Sequence, residues 1–305
     1  MCGIAGFIDS QKILPDLQRM TRCLNNRGPD DEGYYFEHGV GLGHRRLSII
    51  DLSSSGHQPM FFKDLVIIFN GEIYNYKEIK KDLEKEGYCF ESSSDTEVVI
   101  KSFHCWKEKC VDRFIGMFAF ALYNKADQSI YLFRDRVGVK PLYYYHQKGK
   151  FAFASEMKAF KSYLDADEVS QLNTKSLSLF FQLGYIAGND SIIENVKKLP
   201  PGHYLQLRKG NLSIHEYWNV NFNENNDWLD RKEEEVLDEL ENIIKEAFCY
   251  RMVSDVPVGV FLSAGIDSSL VAAVLRKNYG EIETFTIGFD DPAFDESKEA
   301  AEIAG

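Results

Sequence analysis

A polar, turn-rich segment divides this sequence into two parts with different hydrophobic patterns. Residues 219–230 include the run Asn-Val-Asn-Phe-Asn-Glu-Asn-Asn-Asp, which is typical of a linker. Before it, short apolar stretches alternate with turn residues, which predicts strands. After it, the pattern becomes strand, helix, strand, as in a parallel α/β sheet. At 305 residues the chain is long for one domain and comfortable for two.

Before this segment, the sequence predicts mainly short strands interrupted by helices. The predicted strands cover residues 4–8, 40–44, 65–69, 117–123, 129–133, 142–146 and 151–154, with a hairpin at 203–207 and 212–217. The predicted helices cover residues 77–86, 96–106, 156–163 and 174–181. Asp95 stands where the N-cap of the second of these helices is expected.

After the segment, the sequence predicts an amphipathic helix and the beginning of a parallel sheet. The helix covers about residues 231–250, and apolar strands at 256–262 and 283–289 flank a second helix at 267–279. The sequence stops at Gly305, inside the next predicted helix. Because two strands cannot form an independent doubly wound domain, we expect this part to be incomplete and the chain to be a fragment of a longer enzyme.

The composition is that of an ordinary soluble protein. Lys and Arg number 35 and Asp and Glu number 47, and the net charge of −12 argues against nucleic acid or an anionic membrane as a partner. The longest apolar runs have the length of strands, and no secretory signal is visible. The six cysteines are irregularly spaced, and the seven histidines show no metal-binding pattern. We therefore predict a cytoplasmic protein with reduced thiols and no metal ligand set.

Cys2 directly follows the initiator methionine, which is an unusual place for a thiol. Removal of Met1 is favoured by a small following side chain, and it would leave Cys2 with both a thiol and a free α-amine. An α-amine has a pKa of about 7.7–8.0, so one residue can hold a nucleophile and its general base. The alternatives are an incidental buried cysteine and a lipid-modified one. Lipid modification would need an apolar stretch before the thiol, where only Met1 stands.

Four further stretches each allow a structural interpretation when taken alone. The Gly-Pro pair in Asn26–Asp30 is a strong turn signal. The arginines of His44–Asp51 could be surface charge. Asn70-Gly71, which follows an apolar strand, is the strongest short hairpin signal. Asp95 could merely cap its helix.

Together with Cys2, these stretches resemble the class II glutamine amidotransferase domain, a member of the N-terminal-nucleophile family. The resemblance covers about residues 2–218, with its motifs in the family's order. The matching stretches are Cys2–Ile4, Arg27–Asp30, Arg46–Asp51, Asn70–Asn75, Asp95 and Arg134–Tyr144. It implies an α+β four-layer N-terminal-nucleophile domain, in which two stacked, mainly antiparallel sheets lie between helices.

The resemblance implies amide hydrolysis at Cys2. The thiolate would attack the side-chain amide of glutamine, and the α-amine would take the thiol proton and return one to the departing ammonia. The tetrahedral intermediate needs donors directed at its oxyanion. By resemblance these donors are the Asn70 side-chain amide and the Gly71 backbone N–H.

The resemblance also implies how the amino-acid end of glutamine is held. Arg46 would pair with its carboxylate, for which a planar guanidinium is the apt partner. Asp95 would pair with its ammonium group. The remaining residues implied to line the pocket are Leu47, Ser48, Ile49, Ile50 and Glu72.

The second part contains one sharp motif, Phe261–Ser269, between an apolar strand and a helix. Ser, Asp and Gly are common at helix starts, so an ordinary strand–turn–helix is an alternative. No Gly-Lys-Ser/Thr follows, so it is not a Walker loop. It resembles the pyrophosphate loop of ATP-pyrophosphatase synthetases. The residues implied to bind ATP are Ser263, Gly265, Asp267 and Ser268 at the pyrophosphate and Leu262 and Ile287 at the adenine nucleotide.

One position departs from the family pattern. Ala264 stands where the family usually has Gly. If that position requires a positive φ, alanine would cost about 1 kcal/mol or more. The departure predicts weaker binding of ATP only in that case.

The order of the two motif sets resembles the family of glutamine-hydrolysing asparagine synthetases. It implies an amidotransferase domain at residues 1–218, a linker at 219–230, and the N-terminal part of an ATP-pyrophosphatase domain at 231–305. ATP would adenylate aspartate, and ammonia from glutamine would displace AMP to give asparagine. The implied cofactors are ATP and Mg²⁺. The implied partners are glutamine, ATP and aspartate, in a homodimer with an internal ammonia tunnel.

Two alternatives remain open from the sequence. The acceptor could be another carboxylate, such as a sugar acid of a surface polysaccharide or a peptide, because the acceptor site would lie beyond Gly305. The chain could also be a non-catalytic binding or assembly domain that keeps the fold. We expect the chain by itself to retain only the hydrolysis of glutamine.

Overall fold

The computed structural model describes residues 1–222 and 231–305. Residues 223–230, which contain most of the predicted linker, lie outside the described residues. The chain forms two compact units, Met1–Val220 and Asn221–Gly305. None of the described helices is long and apolar enough to cross a membrane.

The first unit is built mainly of strands. Its strands are β1 (Gly3–Ile8), β2 (Asp31–Glu37), β3 (Val40–Arg46), β4 (Met60–Phe62), β5 (Leu65–Ile73), β6 (Gly116–Asn124), β7 (Ser129–Arg134), β8 (Tyr143–Gln147), β9 (Lys150–Ala154), β10 (Val196–Lys198), β11 (His203–Arg208) and β12 (Asn211–Glu216). Its helices are α1 (Leu14–Arg22), α2 (Tyr76–Lys85), α3 (Asp95–Trp106), α4 (Ala166–Ser170) and α5 (Thr174–Leu183), and short 3₁₀ turns cover Ser54–Gly56, Lys107–Arg113 and Met157–Ser162.

Two six-stranded sheets form the centre of this unit. The first has the order β10-β8-β9-β1-β3-β2 and the second β12-β11-β7-β6-β5-β4. The pairings between neighbouring strands are antiparallel. Ile4 and Leu42 from the first sheet pack with Ile68, Ala121 and Leu132 from the second in one buried core. This shared core stacks the sheets face to face.

Helices cover the outer faces of both sheets. On the first sheet, Phe7 packs with Leu17 and Met20 of α1. On the second, the Phe103 ring of α3 lies 5.0 Å from the Tyr131 ring of β7. Successive strand side chains point to opposite faces, so one strand contributes Ile4 to the inner core and Ala5 to the outer one. The predicted four-layer α+β architecture is confirmed.

One local prediction, the N-cap at Asp95, and one structural alternative, the hairpin at Asn70-Gly71, are wrong. Asp95 does not cap α3, because Ser94 Oγ accepts the N-cap hydrogen bond from Thr96 N at 3.2 Å and Asp95 is the first helical residue. Asn70-Gly71 is not a hairpin turn either. β5 continues through it to Ile73, because Gly71 pairs with Phe118 of β6. A Cβ on Gly71 would lie 2.3 Å from Met117 O, so only glycine fits this close strand contact.

Some elements of the first unit have no counterpart among the predictions. They are α1, β2, β4, α4 and β10. The α1 helix begins where Asp16 Oδ2 accepts a hydrogen bond from Ile13 N at 2.9 Å, with Pro15 in the first turn. The β2 strand, Asp31–Glu37, has little apolar alternation and is held by antiparallel pairing with β3.

The second unit contains a two-stranded parallel sheet among helices. Its elements are α6 (Glu233–Tyr250), β13 (Gly259–Phe261), α7 (Ile266–Tyr279), β14 (Glu283–Phe285) and α8 (Ser297–Ala304). Val260 of β13 pairs with Thr284 of β14, which confirms the predicted parallel sheet with shorter strands. Its small core consists of Leu262, Ala272 and Ala300.

Candidate active site

A cavity of about 380 Å³ in the first unit brings together residues that are far apart in sequence. Gly3 of β1 pairs with Arg45 of β3, so Cys2 and Arg46 lie side by side where the strands end. The β5 strand contributes Asn70, Gly71 and Glu72 from the other sheet. The full lining is Met1, Cys2, Arg46, Leu47, Ile49, Ile50, Gly56, Gln58, Phe69, Asn70, Gly71, Glu72, Ser94, Asp95, Thr96, Met117, Val139 and Lys140.

Cys2 is held by contacts at both its backbone and its side chain. Arg27 Nε donates to Cys2 O at 2.8 Å, and Arg27 is itself paired with Glu156 at 3.2 Å. The thiol donates to Leu47 O at 3.6 Å, and Leu47 N approaches Cys2 Sγ at 3.4 Å. Burial raises the pKa of the Cys2 thiol. In this structure the α-amine belongs to Met1, and burial lowers its pKa. The hydrogen bonds therefore orient the thiol, and burial favours its neutral form.

Asn70 presents an unsatisfied amide group at the cavity. The residue is fully buried, and neither its amide oxygen nor its amide nitrogen has a hydrogen-bond partner among the described residues. Leaving such a group unpaired costs about 1–3 kcal/mol, so unpaired buried amides are rare. Gly71 beside it also lines the cavity. The cavity wall thus offers the unpaired amide of Asn70, with Gly71 next to it.

Arg46 lies in the cavity wall with its guanidinium held by a neighbouring loop. It donates to Ser53 O at 3.0 Å, to Ile50 O at 3.4 Å and to Asp51 O. The residue is only 6% exposed. These carbonyl contacts fix the orientation of a buried cation that faces the cavity.

Two carboxyl groups face the same cavity. Asp95 Oδ2 accepts a hydrogen bond from Ile73 N at 3.0 Å, yet burial raises the pKa of Asp95 to about 7. Burial also raises the pKa of Glu72, against the opposing effect of Lys140. A buried carboxyl with such a pKa gains by pairing with a cation. The cavity thus contains a guanidinium and a carboxyl suited to the two charges of an amino acid.

The structure places most of the predicted pocket residues at the cavity. Leu47, Ile49 and Ile50 line it. Ser48 is not among its lining residues in the described chain, and its backbone N–H donates to Asp30 Oδ2 at 2.8 Å. Gln58 was missed in the sequence. Its side chain accepts from Phe69 N at 2.6 Å and joins two walls of the cavity.

Lys140 was also missed, although it stands within the motif Arg134–Tyr144. The signal in the sequence was a lysine in a long match to the amidotransferase pattern, with no role attached to it. Met117 and Val139 are further lining residues without a sequence signal.

The loop between β13 and α7 is tied by its own hydroxyl groups. Ser263 Oγ and Ser268 Oγ lie 3.0 Å apart, and Ser263 N donates to Ser268 Oγ at 3.2 Å. Gly265 is the N-cap of the fourteen-residue α7 with φ −74°. Ala264 is not among the described residues that have a positive φ, so the predicted backbone cost does not arise.

A cavity of about 440 Å³ lies beside this loop, at the carboxyl ends of the two parallel strands. Leu262, Ser263 and Ile287 line it, whereas Gly265, Asp267 and Ser268 are not among its lining residues in the described chain. The serine hydroxyls and the N-terminus of α7 are suitable donors for phosphate oxygens. Ala264 N, however, donates to Glu296 Oε2 at 3.4 Å. The donor set fits a nucleotide phosphate once that carboxylate is displaced.

Comparisons with known proteins match both units. The family model described as a glutamine amidotransferase domain matches residues 1–218, and the one described as asparagine synthase matches residues 239–305. Glutamine-hydrolysing asparagine synthetase 1 of Bacillus subtilis is 36% identical over 313 residues, covering 100% of this chain and 48% of that protein. Putative glutamine-hydrolysing asparagine synthetase 2 of Methanocaldococcus jannaschii is 36% identical over 314 residues, covering 95% and 60%. The chain spans about half the length of these relatives.

A solved structure supports the fold. The glutamine phosphoribosylpyrophosphate amidotransferase of Bacillus subtilis superposes with a TM-score of 0.53 at 16% identity, covering 100% of this chain and 70% of that chain. At this identity the likeness concerns the fold alone. The two matched family models and the 36% identical relatives lead to one conclusion: the chain belongs to the family of glutamine-hydrolysing asparagine synthetases.

Proposed function

We propose that this chain hydrolyses glutamine at Cys2 and supplies the ammonia for an ATP-dependent amidation, with aspartate as the acceptor. Residues 1–218 would form the glutaminase domain, 219–230 a linker and 231–305 part of the synthetase domain. The observation that carries the proposal is the fully buried, unpaired Asn70 amide, in the same cavity as Cys2.

Hydrolysis would begin with attack of the Cys2 thiolate on the glutamine amide carbon. After removal of Met1, the α-amine of Cys2 takes the thiol proton, so the base lies on the nucleophile's own residue. The developing oxyanion accepts hydrogen bonds from the Asn70 amide and the Gly71 N–H. The protonated amine then gives its proton to the leaving ammonia. Water releases glutamate from the thioester.

The amino-acid end of glutamine would be held by two opposite charges. Arg46 pairs with the α-carboxylate, and Asp95 pairs with the α-ammonium. Since the pKa of Asp95 is about 7 in the free cavity, binding of the ammonium favours the ionised carboxylate. Leu47, Ile49, Ile50 and Glu72 complete the pocket wall. The backbone N–H of Ser48 donates to Asp30 Oδ2, so Ser48 would contribute to the pocket only through its other groups.

The second unit would bind ATP. Ser263, Gly265, Asp267 and Ser268 would hold its pyrophosphate at the start of α7, with Leu262 and Ile287 at the adenine nucleotide. When bound, ATP would supply the adenylyl group that activates the acceptor carboxylate for attack by ammonia, with pyrophosphate as the leaving group, and Mg²⁺ would accompany its phosphate oxygens. We further propose a homodimer in the cytoplasm. These points rest on the resemblance and on family membership.

Three separate assays test the proposal on the full chain. Glutamate, pyrophosphate and asparagine are measured after incubation with glutamine, ATP, Mg²⁺ and aspartate. We expect glutamate to form, and intact-mass measurement should find Met1 removed. An active glutaminase that retains Met1 would refute the role of the Cys2 amine as the general base. If pyrophosphate forms without asparagine, other carboxylates are screened, because sugar acids and peptides are alternative acceptors.

A glutamine-analogue electrophile distinguishes an enzyme from a binding domain. A diazoketone analogue should label Cys2 alone among the six cysteines, and glutamine should protect it. Labelling spread over the other cysteines, or none at Cys2, would favour a non-catalytic domain.

A further inference from the structure

Lys140 is a buried lysine in the wall of the cavity that contains Cys2. It is 4% exposed and lines the cavity together with Met1, Cys2 and Glu72. Within residues 1–222 and 231–305, the hydrogen bonds of Lys140 are made by its backbone N–H and carbonyl, and no ion pair includes its Nζ. Burying a charged group without a partner is costly, so a fold retains one chiefly where a function depends on it.

The backbone around Lys140 is firmly held. Asp135 accepts hydrogen bonds from Val139 N at 2.8 Å and from Lys140 N at 2.9 Å. Arg134 donates to Lys140 O and to Gly138 O, each at 2.9 Å. Gly138 has φ +72°, a conformation that favours glycine. This loop therefore presents the lysine to the cavity from a fixed position.

The charged groups that face Lys140 and Cys2 come from several elements. On the anionic side they are Glu72 of β5, Asp95 of α3 and Asp135 of the same loop, and on the cationic side Arg27, Arg46 and the terminal amine. Asp135 is engaged by backbone N–H groups, and Asp95 by Ile73 N. Burial lowers the pKa of Lys140, while Glu72 and Cys2 act to raise it. The groups that favour its ammonium form are thus the pocket carboxylate and the nucleophile.

We propose that Lys140 is a positioning residue whose ammonium group stabilises the thiolate of Cys2. The proposal rests on the proposed role of Cys2 as the nucleophile. A fixed cation in the same cavity as a thiol favours the thiolate, and Cys2 in turn favours the charged form of Lys140. The thiol proton leaves to the α-amine of Cys2. At the terminal amine of the chain that retains Met1, burial is the main cause that lowers the pKa and Lys140 adds to it, which favours the neutral amine that can accept a proton. Lys140 itself exchanges no proton and forms no bond.

The test is the pH dependence of alkylation of Cys2 in the full chain. Iodoacetamide modification of the Cys2 peptide is followed by mass spectrometry between pH 5 and 10, without glutamine. We expect Lys140→Met to raise the midpoint by about one pH unit, which makes modification well below the midpoint about tenfold slower. Lys140→Arg should restore the wild-type midpoint, because it keeps the charge. Lys125→Met is the matched control, since Lys125 is exposed and follows the end of β6 opposite to Met117.

The outcomes separate this inference from the proposed function. An unshifted midpoint in folded Lys140→Met, or an equal shift in Lys140→Arg, overturns the inference. If circular dichroism shows Lys140→Met to be misfolded, Lys140→Gln removes the same charge, and its midpoint should rise; an unchanged midpoint there also overturns the inference. If the midpoint shifts in Lys140→Met but the wild type has no glutaminase activity, the inference about Lys140 is supported and only the proposed hydrolysis is refuted.

Discussion

The two units carry their candidate sites in opposite environments. In the first, Asn70 is fully buried and Asp95 is 5% exposed. In the second, Ser263, Gly265 and Asp267 are exposed, and Ile287 is 67% exposed. Burial directs the polar groups of the first site into the cavity and shifts their pKa values. The exposed hydroxyl groups of the second site form hydrogen bonds with one another and face solvent, where electrostatic interactions are weaker.

The difference follows from how much sheet surrounds each site. The first site lies at the ends of two stacked six-stranded sheets, whose core excludes water from the strand ends. The second lies beside two short strands, with a core of Leu262, Ala272 and Ala300. A two-stranded sheet cannot bury both of its faces. The preorganisation of the polar groups therefore depends on the sheets and helices around the site and not on the sequence motif itself.

The largest effect is expected at Cys2, the nucleophile of the buried site. Cys2→Ala should abolish glutamate formation, and Cys2→Ser should leave at most a trace, because a serine hydroxyl is the weaker nucleophile. Cys23→Ala is the control, since Cys23 lies outside the cavity and contacts Ser162. Glutamate release is measured at saturating glutamine. Glutaminase activity that remains in Cys2→Ala would show that Cys2 is not the nucleophile.

Asn70→Ala should have the next largest effect. We expect kcat to fall about 10²–10³-fold with little change in KM, because one oxyanion donor is lost. Thermal stability should not fall, since the replaced amide has no partner among the described residues. Steady-state kinetics and a melting curve test the two parts. A large loss of stability would show that Asn70 is a structural residue.

Arg46→Lys tests whether the buried guanidinium binds substrate. We expect KM for glutamine to rise about tenfold or more with kcat nearly unchanged, because lysine cannot make the forked contact. Arg45→Lys is a neighbouring comparison, since Arg45 bonds Gly28 O at 2.9 Å and does not line the cavity. An equal KM for glutamine in wild type and Arg46→Lys would show that Arg46 has only a structural role, through its contacts with the loop carbonyls.

Asp95 gives the buried site a pH dependence. Below its pKa of about 7 the carboxyl is neutral and cannot pair with the ammonium, so KM should fall several-fold between pH 6 and pH 8. Asp95→Asn should raise KM and remove this dependence. Kinetics at constant ionic strength provide the measurement. A wild-type KM that does not change with pH would argue against the pairing.

The same pKa predicts an effect on stability. A carboxyl whose folded pKa lies above its unfolded value stabilises the fold fully only below the unfolded pKa, and this contribution is lost as the pH rises through about 7. The Tm of Asp95→Asn relative to wild type should therefore increase between pH 5 and pH 8.

The smallest effect is expected from the exposed loop. The double change Ser263→Ala and Ser268→Ala should leave glutaminase activity within about twofold, because these hydroxyls bond one another in an exposed setting. Binding of ATP to the full chain, measured by equilibrium dialysis, should weaken in the same variant. A tenfold fall in glutaminase activity would contradict the independence of the two sites.

Much of the framework could be predicted from local sequence. The apolar runs at residues 65–69 and 117–123 identify the central strands β5 and β6, because alternation and β-branching are local signals. Elements with little hydrophobic patterning were not predicted. An example is the polar β2 strand, Asp31–Glu37, because its pairing with β3 stabilises it. The N-cap of α3 at Ser94 was not predicted, because the neighbouring Asp95 is equally able to cap a helix.

The sequence by itself determined which groups are available: a thiol after Met1, an Asn-Gly pair, and the charged residues Arg46 and Asp95. Only the tertiary structure decided that they share one cavity, because the register of Gly3 with Arg45 and the stacking of the two sheets bring their ends together. It also placed Lys140 beside them and raised the pKa of Asp95. Burial depends on the layers around a residue, and no local pattern specifies those layers.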